Sequence, residues 1–302
     1  MNELIQFKVC EKHRHEPGKE LQTCPSCTKM EKSLKDFISE LSVTTSWQYL
    51  DLTKQSIRNF SDDIGRLICE NKGIKYLCLN SNELGIDYDW YFNAKFWYTY
   101  MCANTTITVL EAQRCEMGCN IDARFFAECV FKNLYFIDLS ENADFYSAKQ
   151  FLEYLTTNKT VQGFSWRKNY IVGSDLPLMA DLISKNTTIK YLNFQEVSQN
   201  EDKYVRDNKS KIDYEDYEEG WKQIAKSLWD NTTLLQLILT PNSRCSEKFG
   251  RSITVGLEFQ TALSINSTLQ KFRFNFDVGW KEKEYFGEEK LDELELNLNF
   301  GQ

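Results

Sequence analysis

Cysteine and histidine near the start of the chain have the spacing of a metal site: Cys10-x-x-His13 is followed after ten residues by Cys24-x-x-Cys27. Tetrahedral zinc takes its ligands in this form, since each short pair holds two ligands on a tight turn and the loop between folds the pairs together. Pro25 stiffens the second turn. His15 is an alternative to His13 as fourth ligand, and the same residues also fit a redox Cys-x-x-Cys or a plain polar tail. Four protein ligands leave no open position for substrate, so the expectation is one structural zinc ion and not a catalytic one.

Other catalytic chemistry finds little material. His13 and His15 are the two histidines of the chain, so a Ser/His or Cys/His arrangement has no base to draw on elsewhere. There is no Gly-x-x-x-x-Gly-Lys-Ser/Thr loop and no Gly-x-Gly-x-x-Gly. The expectation is a protein that is not an enzyme.

The elements around this segment are set by a repeat. Ile74-Lys-Tyr-Leu77-Cys-Leu79-Asn-Ser-Asn82-Glu-Leu84-Gly85 reads L-x-x-L-x-L-x-x-N-x-L-G, a short strand that turns inward on Leu77 and Leu79 and ends at an asparagine turn. Units of the same form start at 47, 74, 107, 134, 161, 189, 234, 269 and, more weakly, 291, with a commonest step of 27 to 28 residues. This predicts an α/β leucine-rich-repeat solenoid, or horseshoe, of about nine strand–helix repeats with a parallel sheet on its concave face. Helices are expected between the strands, at Ser61–Glu70, Asp89–Cys102, Asp144–Thr157, Asp175–Lys185, Glu218–Asp230 and Ser252–Ile265.

Each helix ends on Asn-x-Thr/Ser or a relative of it, as in Asn104-Thr-Thr, Asn158-Lys-Thr, Asn186-Thr-Thr, Asn231-Thr-Thr and Asn266-Ser-Thr. These are formal glycosylation sequons, but their fixed place in the repeat favours a structural role, with asparagine in a left-handed helix cap. Strand plus helix ending Asn-x-Thr-Leu resembles the ribonuclease-inhibitor subfamily of leucine-rich repeats, over roughly residues 45–300. The stretches beginning Asn158-Lys-Thr-Val, Asn186-Thr-Thr-Ile and Asn266-Ser-Thr-Leu are similar to the C-terminal repeat domain of tropomodulins. The segment from Cys10 to Cys27 resembles the opening half of a B-box-type zinc finger, whose first pair is also Cys-x-x-His and whose later ligands have no counterpart here.

The resulting organisation is a zinc-knuckle-like segment at 1–30, a capping helix at 31–45 carrying Leu34, Phe37, Ile38 and Leu41, and a leucine-rich-repeat domain at 46–302. The long step from 189 to 234 holds a segment, 196–219, with nine acidic and four basic side chains, expected to be a mobile loop. The helix over 89–102 is rich in aromatics, expected to thicken the core of a 33-residue repeat or else to form a docking patch. Outside the zinc segment the cysteines, including Cys69, Cys78, Cys102, Cys115 and Cys129, read as small buried hydrophobes in a reducing compartment.

Function is then expected on the concave face, lined by the third, fifth and seventh positions of each unit. The third column begins Tyr49, Tyr76, Val109, Phe136 and includes Tyr191; the fifth carries Asp51, Glu111, Asp138 and Arg273; the seventh carries Arg167. Aromatic anchors among polar groups are the composition of a protein-binding surface, so these residues are the expected contacts of a protein partner. A net charge of −8 disfavours nucleic acid as the main partner. No secretory leader or membrane span is read, and a cytoplasmic monomer is expected. The tropomodulin resemblance implies actin-filament capping as an alternative, and the Ran GTPase-activating proteins share the repeat subtype, which implies action on a GTPase as another.

Overall fold

Leucine-rich repeats work because one strand per unit buries alternate side chains under a helix while its backbone pairs with the next unit. The computed structural model describes residues 48–55, 57, 61–85, 95–117, 123–142, 148–199, 214–241, 253–274 and 294–297. The expected zinc segment, with Cys10, His13, Cys24 and Cys27, and the capping helix at 31–45 lie outside the described residues. The chain divides into two compact units, Met1–Ile137 and Asp138–Gln302, with the division inside one strand.

In the first unit, β1 (Tyr49–Asp51), β2 (Tyr76–Cys78) and β3 (Val109–Glu111) pair in parallel, Leu50 opposite Leu77 and Leu77 opposite Leu110. Strand β4 (Phe136–Asp138) comes next, and its Phe136 N–H donates to the Thr108 carbonyl. Helix α1 (Ser61–Glu70), a π-helical turn at Phe96–Met101 and helix α2 (Ala123–Val130) with a 3-10 turn at Phe131–Asn133 lie between the strands. Each template leucine is inside: Leu50, Ile74, Leu77, Leu79, Ile107, Leu110, Leu134 and Ile137 are all buried.

The π-turn is how the longer repeat fills the core. Its i→i+5 closure sets Phe96 and Met101 on one side, and Phe96, Trp97 and Met101 are buried. Trp97 Nε1 donates to the Leu84 carbonyl at 3.0 Å, and its ring meets Phe126 edge-on at 5.2 Å. Phe96 and Trp97 of the 89–102 stretch are therefore core, while Tyr98 and Tyr100 are half-buried. Tyr100 crosses Gly65 of α1 to donate to Asp62 at 2.7 Å; a Cβ on Gly65 would stand 2.4 Å from the Tyr100 ring.

In the second unit, β5 (Gly163–Ser165), β7 (Tyr191–Gln199), β8 (Gln236–Pro241) and β9 (Lys271–Phe274) are parallel neighbours in that order, and the short β6 (Tyr170–Ile171) pairs with the far end of β7. Helices α3 (Lys149–Thr157), α4 (Asp175–Lys185), α5 (Tyr214–Ser227) and α6 (Ile253–Ile265) pack in sequence. Where the template leucines are replaced by aromatics the rings stack: Phe164 with Trp166 at 5.9 Å, Phe272 with Phe274 at 5.9 Å, and Phe259 of α6 over Phe274 at 4.4 Å. Each unit is thus a leucine-rich-repeat stack of parallel strands and helices.

Four expectations are corrected. The ninth repeat does not continue the parallel series: β10 (Leu294–Asn297) runs antiparallel to β9, with Glu295 opposite Arg273. The acidic segment is not all loop, because 196–199 extend β7, with Val197 paired to β8 and Ser198 and Gln199 paired to β6, and 214–219 open α5; residues 200–213 lie outside the described residues. The helix-ending asparagines are not left-handed; Asn158 and Asn186 are extended, at φ −65° and −81°. Nor are all the cysteines buried: Cys78 and Cys115 are, but Cys69, Cys102 and Cys129 are half-buried, and all five are free thiols.

Those asparagines instead form a ladder. Each Oδ1 accepts from the N–H groups two and three residues on, as Asn186 does from Thr188 and Ile189 at 2.7 and 2.8 Å. In four of them Nδ2 reaches back to the preceding repeat: Asn104 to Ile68 O, Asn186 to Leu155 O, Asn231 to Ile183 O and Asn266 to Leu228 O, at 2.6 to 2.8 Å. Asn104, Asn158, Asn186, Asn231 and Asn266, the helix-ending sequon asparagines, are all buried and hydrogen-bonded, so they are framework rather than glycan acceptors. A second ladder runs through the turn asparagines. Asn82 Nδ2 donates to Leu52 O and Leu79 O, Asn169 Nδ2 to Leu139 O, and where Cys115 takes the position its thiol points at Leu79 O, 3.1 Å away.

Candidate protein-binding face

Side chains alternate along a strand, so with the first, fourth and sixth template positions buried, the third, fifth and seventh line the other side of each sheet. In the first unit this brings together four of the expected residues, Tyr49, Asp51, Tyr76 and Glu111. The Tyr49 and Tyr76 rings stand opposite each other across β1 and β2, 4.5 Å apart and tilted by 36°. Both stay half-buried.

Glu111 is the hub of a polar network on β2 and β3. Tyr76 OH donates to its Oε1, while Asn80 Nδ2 at 3.0 Å and the Cys78 thiol at 3.6 Å point at Oε2. Asn80 Oδ1 in turn accepts the Gln113 N–H at 2.8 Å. Burial raises the Tyr76 hydroxyl pKa well above its ordinary value, with the hydrogen bond and charge of Glu111 adding to it. Burial pushes the Cys78 thiol up to about 12 against the hydrogen bond from Thr53, so it is a protonated, unreactive group. Tyr49 is likewise raised, by burial first and then by Asp51.

Asp51 has a second duty. Its Oδ1 accepts the Thr53 N–H at 2.8 Å and so closes the turn after β1. Asp138 does the same for Ser140 at 2.9 Å, and Asn193 for Gln195 at 3.1 Å. Phe136 is half-buried at the end of the first unit.

The second unit carries Asp138, Arg167, Tyr191 and Arg273 on separate strands or turns. Arg167 and Lys168 both approach Glu141, at 3.9 and 3.6 Å. Tyr191 is 44% exposed, beside Gly163 on one neighbouring strand and Gln236 on the other. Arg273 is half-buried on β9. Cys78, Asn80 and Thr53 belong to the network although sequence reading did not single them out; the signal was their place in the fifth and seventh columns.

No group of three or more metal-ligating side chains is present among the described residues, and no helix among them is long and apolar enough to cross a membrane.

No family model and no curated protein matches the chain. Solved structures do. The tropomodulin C-terminal domain of Caenorhabditis elegans is similar at 13% identity over 54% of this chain and 85% of that one, TM-score 0.35. Actin-binding site 2 of leiomodin-1 is similar at 10% identity over 76% and 90%, TM-score 0.27, and a leucine-rich repeat-containing protein of Legionella pneumophila at 12% over 80% and 87%, TM-score 0.34. The fold itself rests on the strand registers and the burial pattern above.

Proposed function

We propose that the protein is a non-enzymatic binding scaffold that holds a protein partner on the sheet face of its repeats. What carries this reading is the tyrosine pair Tyr49–Tyr76 standing half-exposed beside two carboxylates, Asp51 and Glu111. Among the described residues neither carboxylate is in an ion pair, and the neutral donors around Glu111 hold it in a fixed position. Rigid aromatic area with oriented polar groups is what binding hot spots are made of.

The experiment is affinity purification from source cells with the intact protein, with Tyr49→Ala combined with Phe136→Ala, and with Lys149→Ala on the outer face of α3. Partners lost with the sheet-face variant, kept with the helix variant and at unchanged Tm support the reading. Equal capture by all three overturns it.

Actin is a partner to test by co-sedimentation. The residues that carry the tropomodulin resemblance, Asn158, Asn186 and Asn266 with Val161, Ile189 and Leu269, are ladder and core groups here. They support a shared way of building the repeat. One zinc ion bound by Cys10, His13 or His15, Cys24 and Cys27 remains part of the proposal.

A further inference from the structure

The first unit's sheet face has an unusual charge balance. No Lys or Arg occupies the third, fifth or seventh position of its first three repeats, which read Tyr49, Asp51, Thr53, then Tyr76, Cys78, Asn80, then Val109, Glu111, Gln113. Asp51 uses Oδ1 to close its own turn, and Oδ2 accepts nothing among the described residues. Glu111 accepts from Tyr76, Cys78 and Asn80, all neutral groups. Hydrogen bonds from neutral donors orient a carboxylate without cancelling its charge. The face therefore presents two oriented negative charges around a pair of tyrosine rings.

We propose that this face is a docking site for an arginine-bearing segment of the protein partner, the guanidinium stacking on Tyr49 or Tyr76 and pairing with Asp51 and Glu111. This rests on the reading that the sheet face binds protein, and it names the chemistry that the face selects. A guanidinium is planar, weakly hydrated and forked, so one group can lie on an aromatic ring and donate two bonds to a carboxylate. An ammonium offers a point charge and a tighter water shell, and fits the same surface less well. Asp51 on β1 and Glu111 on β3 are two strands apart, roughly 10 Å at the usual strand spacing. Two arginines a few residues apart on the partner can therefore engage both.

The test uses the intact protein and a fluorescein-labelled dodecapeptide with arginine at every third position in a Gly/Ser background, beside its lysine and citrulline counterparts, read by fluorescence anisotropy. The arginine peptide should bind saturably, the citrulline peptide about tenfold more weakly or worse, and the lysine peptide between them. Asp51→Asn keeps the oxygen that accepts the Thr53 N–H, and Glu111→Gln keeps one oxygen for Asn80 and Cys78 while its amide can donate to the Tyr76 hydroxyl, so the fold is retained; together they should weaken the arginine peptide by about tenfold. Raising the salt should weaken it as well, and Glu153→Gln on α3 should leave it unchanged. Equal binding of the three peptides, no saturable binding, or indifference to the double variant overturns the proposal. If the partner capture described above still depends on Tyr49 and Phe136 while the arginine peptide fails, the binding face stands and its arginine chemistry falls. If capture is indifferent too, both fall.

Discussion

The side-chain amide of Asn186 donates to the backbone carbonyl of Asn158, the equivalent residue of the preceding repeat, at 2.9 Å. The same amide reaches Leu155 O, while Oδ1 accepts two N–H groups. One buried side chain thus satisfies four backbone groups from two repeats. Asn186→Ala orphans the Thr188 and Ile189 N–H groups and leaves the two carbonyls only longer bonds, from the Asn158 N–H at 3.2 Å and the Thr188 hydroxyl at 3.3 Å; since each orphaned buried group costs about 1–3 kcal/mol, a loss of about 3 kcal/mol is expected in urea unfolding. Thr188→Val, which removes only the bonds of the neighbouring hydroxyl, should lose about 1 kcal/mol. Similar losses for the two variants would show that the ladder amide is not the connector.

A second prediction concerns the turn after each strand. Lys54, Ser81, Arg114, Glu141 and Lys168 occupy the same template position and all have φ between 53° and 61°. The left-handed turn aims the N–H groups of Lys54, Ser81, Glu141 and Lys168 at the next repeat, as Ser81 N–H does at Gln113 O, 2.7 Å away. A β-branched residue fits this conformation worst. Ser81→Val should lower stability by about 1–2 kcal/mol, whereas Ser81→Gly should match or exceed the parent in Tm.

These two features mark the limit of what the chain discloses. The repeat period and the inward residues are legible because burial dictates residue type: Leu77, Leu110 and Ile137 must be apolar. The left-handed turn is not legible, since Lys, Ser, Arg and Glu occupy it where glycine or asparagine would signal it. The asparagines that do signal a left-handed cap are extended, held by their side chains instead. Charge composition misled over 196–219, where backbone pairing of Ser198 and Gln199 with β6 continues the strand whatever the sequence's polarity. On the sheet face the columns identified Tyr49, Tyr76 and Glu111. They could not disclose that Glu111 organises Tyr76, Cys78 and Asn80, because a hydrogen bond depends on rotamers, not on spacing.

Alkaline pH should destabilise the fold through its buried thiols. Burial raises Cys78 and Cys115 from 9.0 to about 12. Between those values the unfolded chain has released the proton and the folded protein retains it. Stability is therefore fully present below pH 9 and falls as pH rises toward 12, by at most about 1.4 kcal/mol per pH unit for each thiol. Tyr76 acts in the same direction above pH 10. Cys78→Ser with Cys115→Ser should flatten the decline between pH 9 and 10.5 relative to the parent, whatever its effect at pH 7. A parallel decline in both proteins would assign the alkaline sensitivity to other groups.

Two glycines separate close approach from mere flexibility. A Cβ on Gly85 would lie 1.9 Å from the carbonyl oxygen of Glu116, a backbone atom that cannot swing aside. One on Gly256, in α6, meets nothing within 4 Å. Gly85→Ala should therefore force the two turns apart and cost roughly 1–3 kcal/mol, as overpacking does. Gly256→Ala should gain about 0.5–1 kcal/mol, because alanine restricts the unfolded chain and suits a helix interior. Both are read by chemical denaturation. If Gly85→Ala is neutral, the turn around Glu116 yields, and the close packing of repeats at that point is not what fixes their spacing.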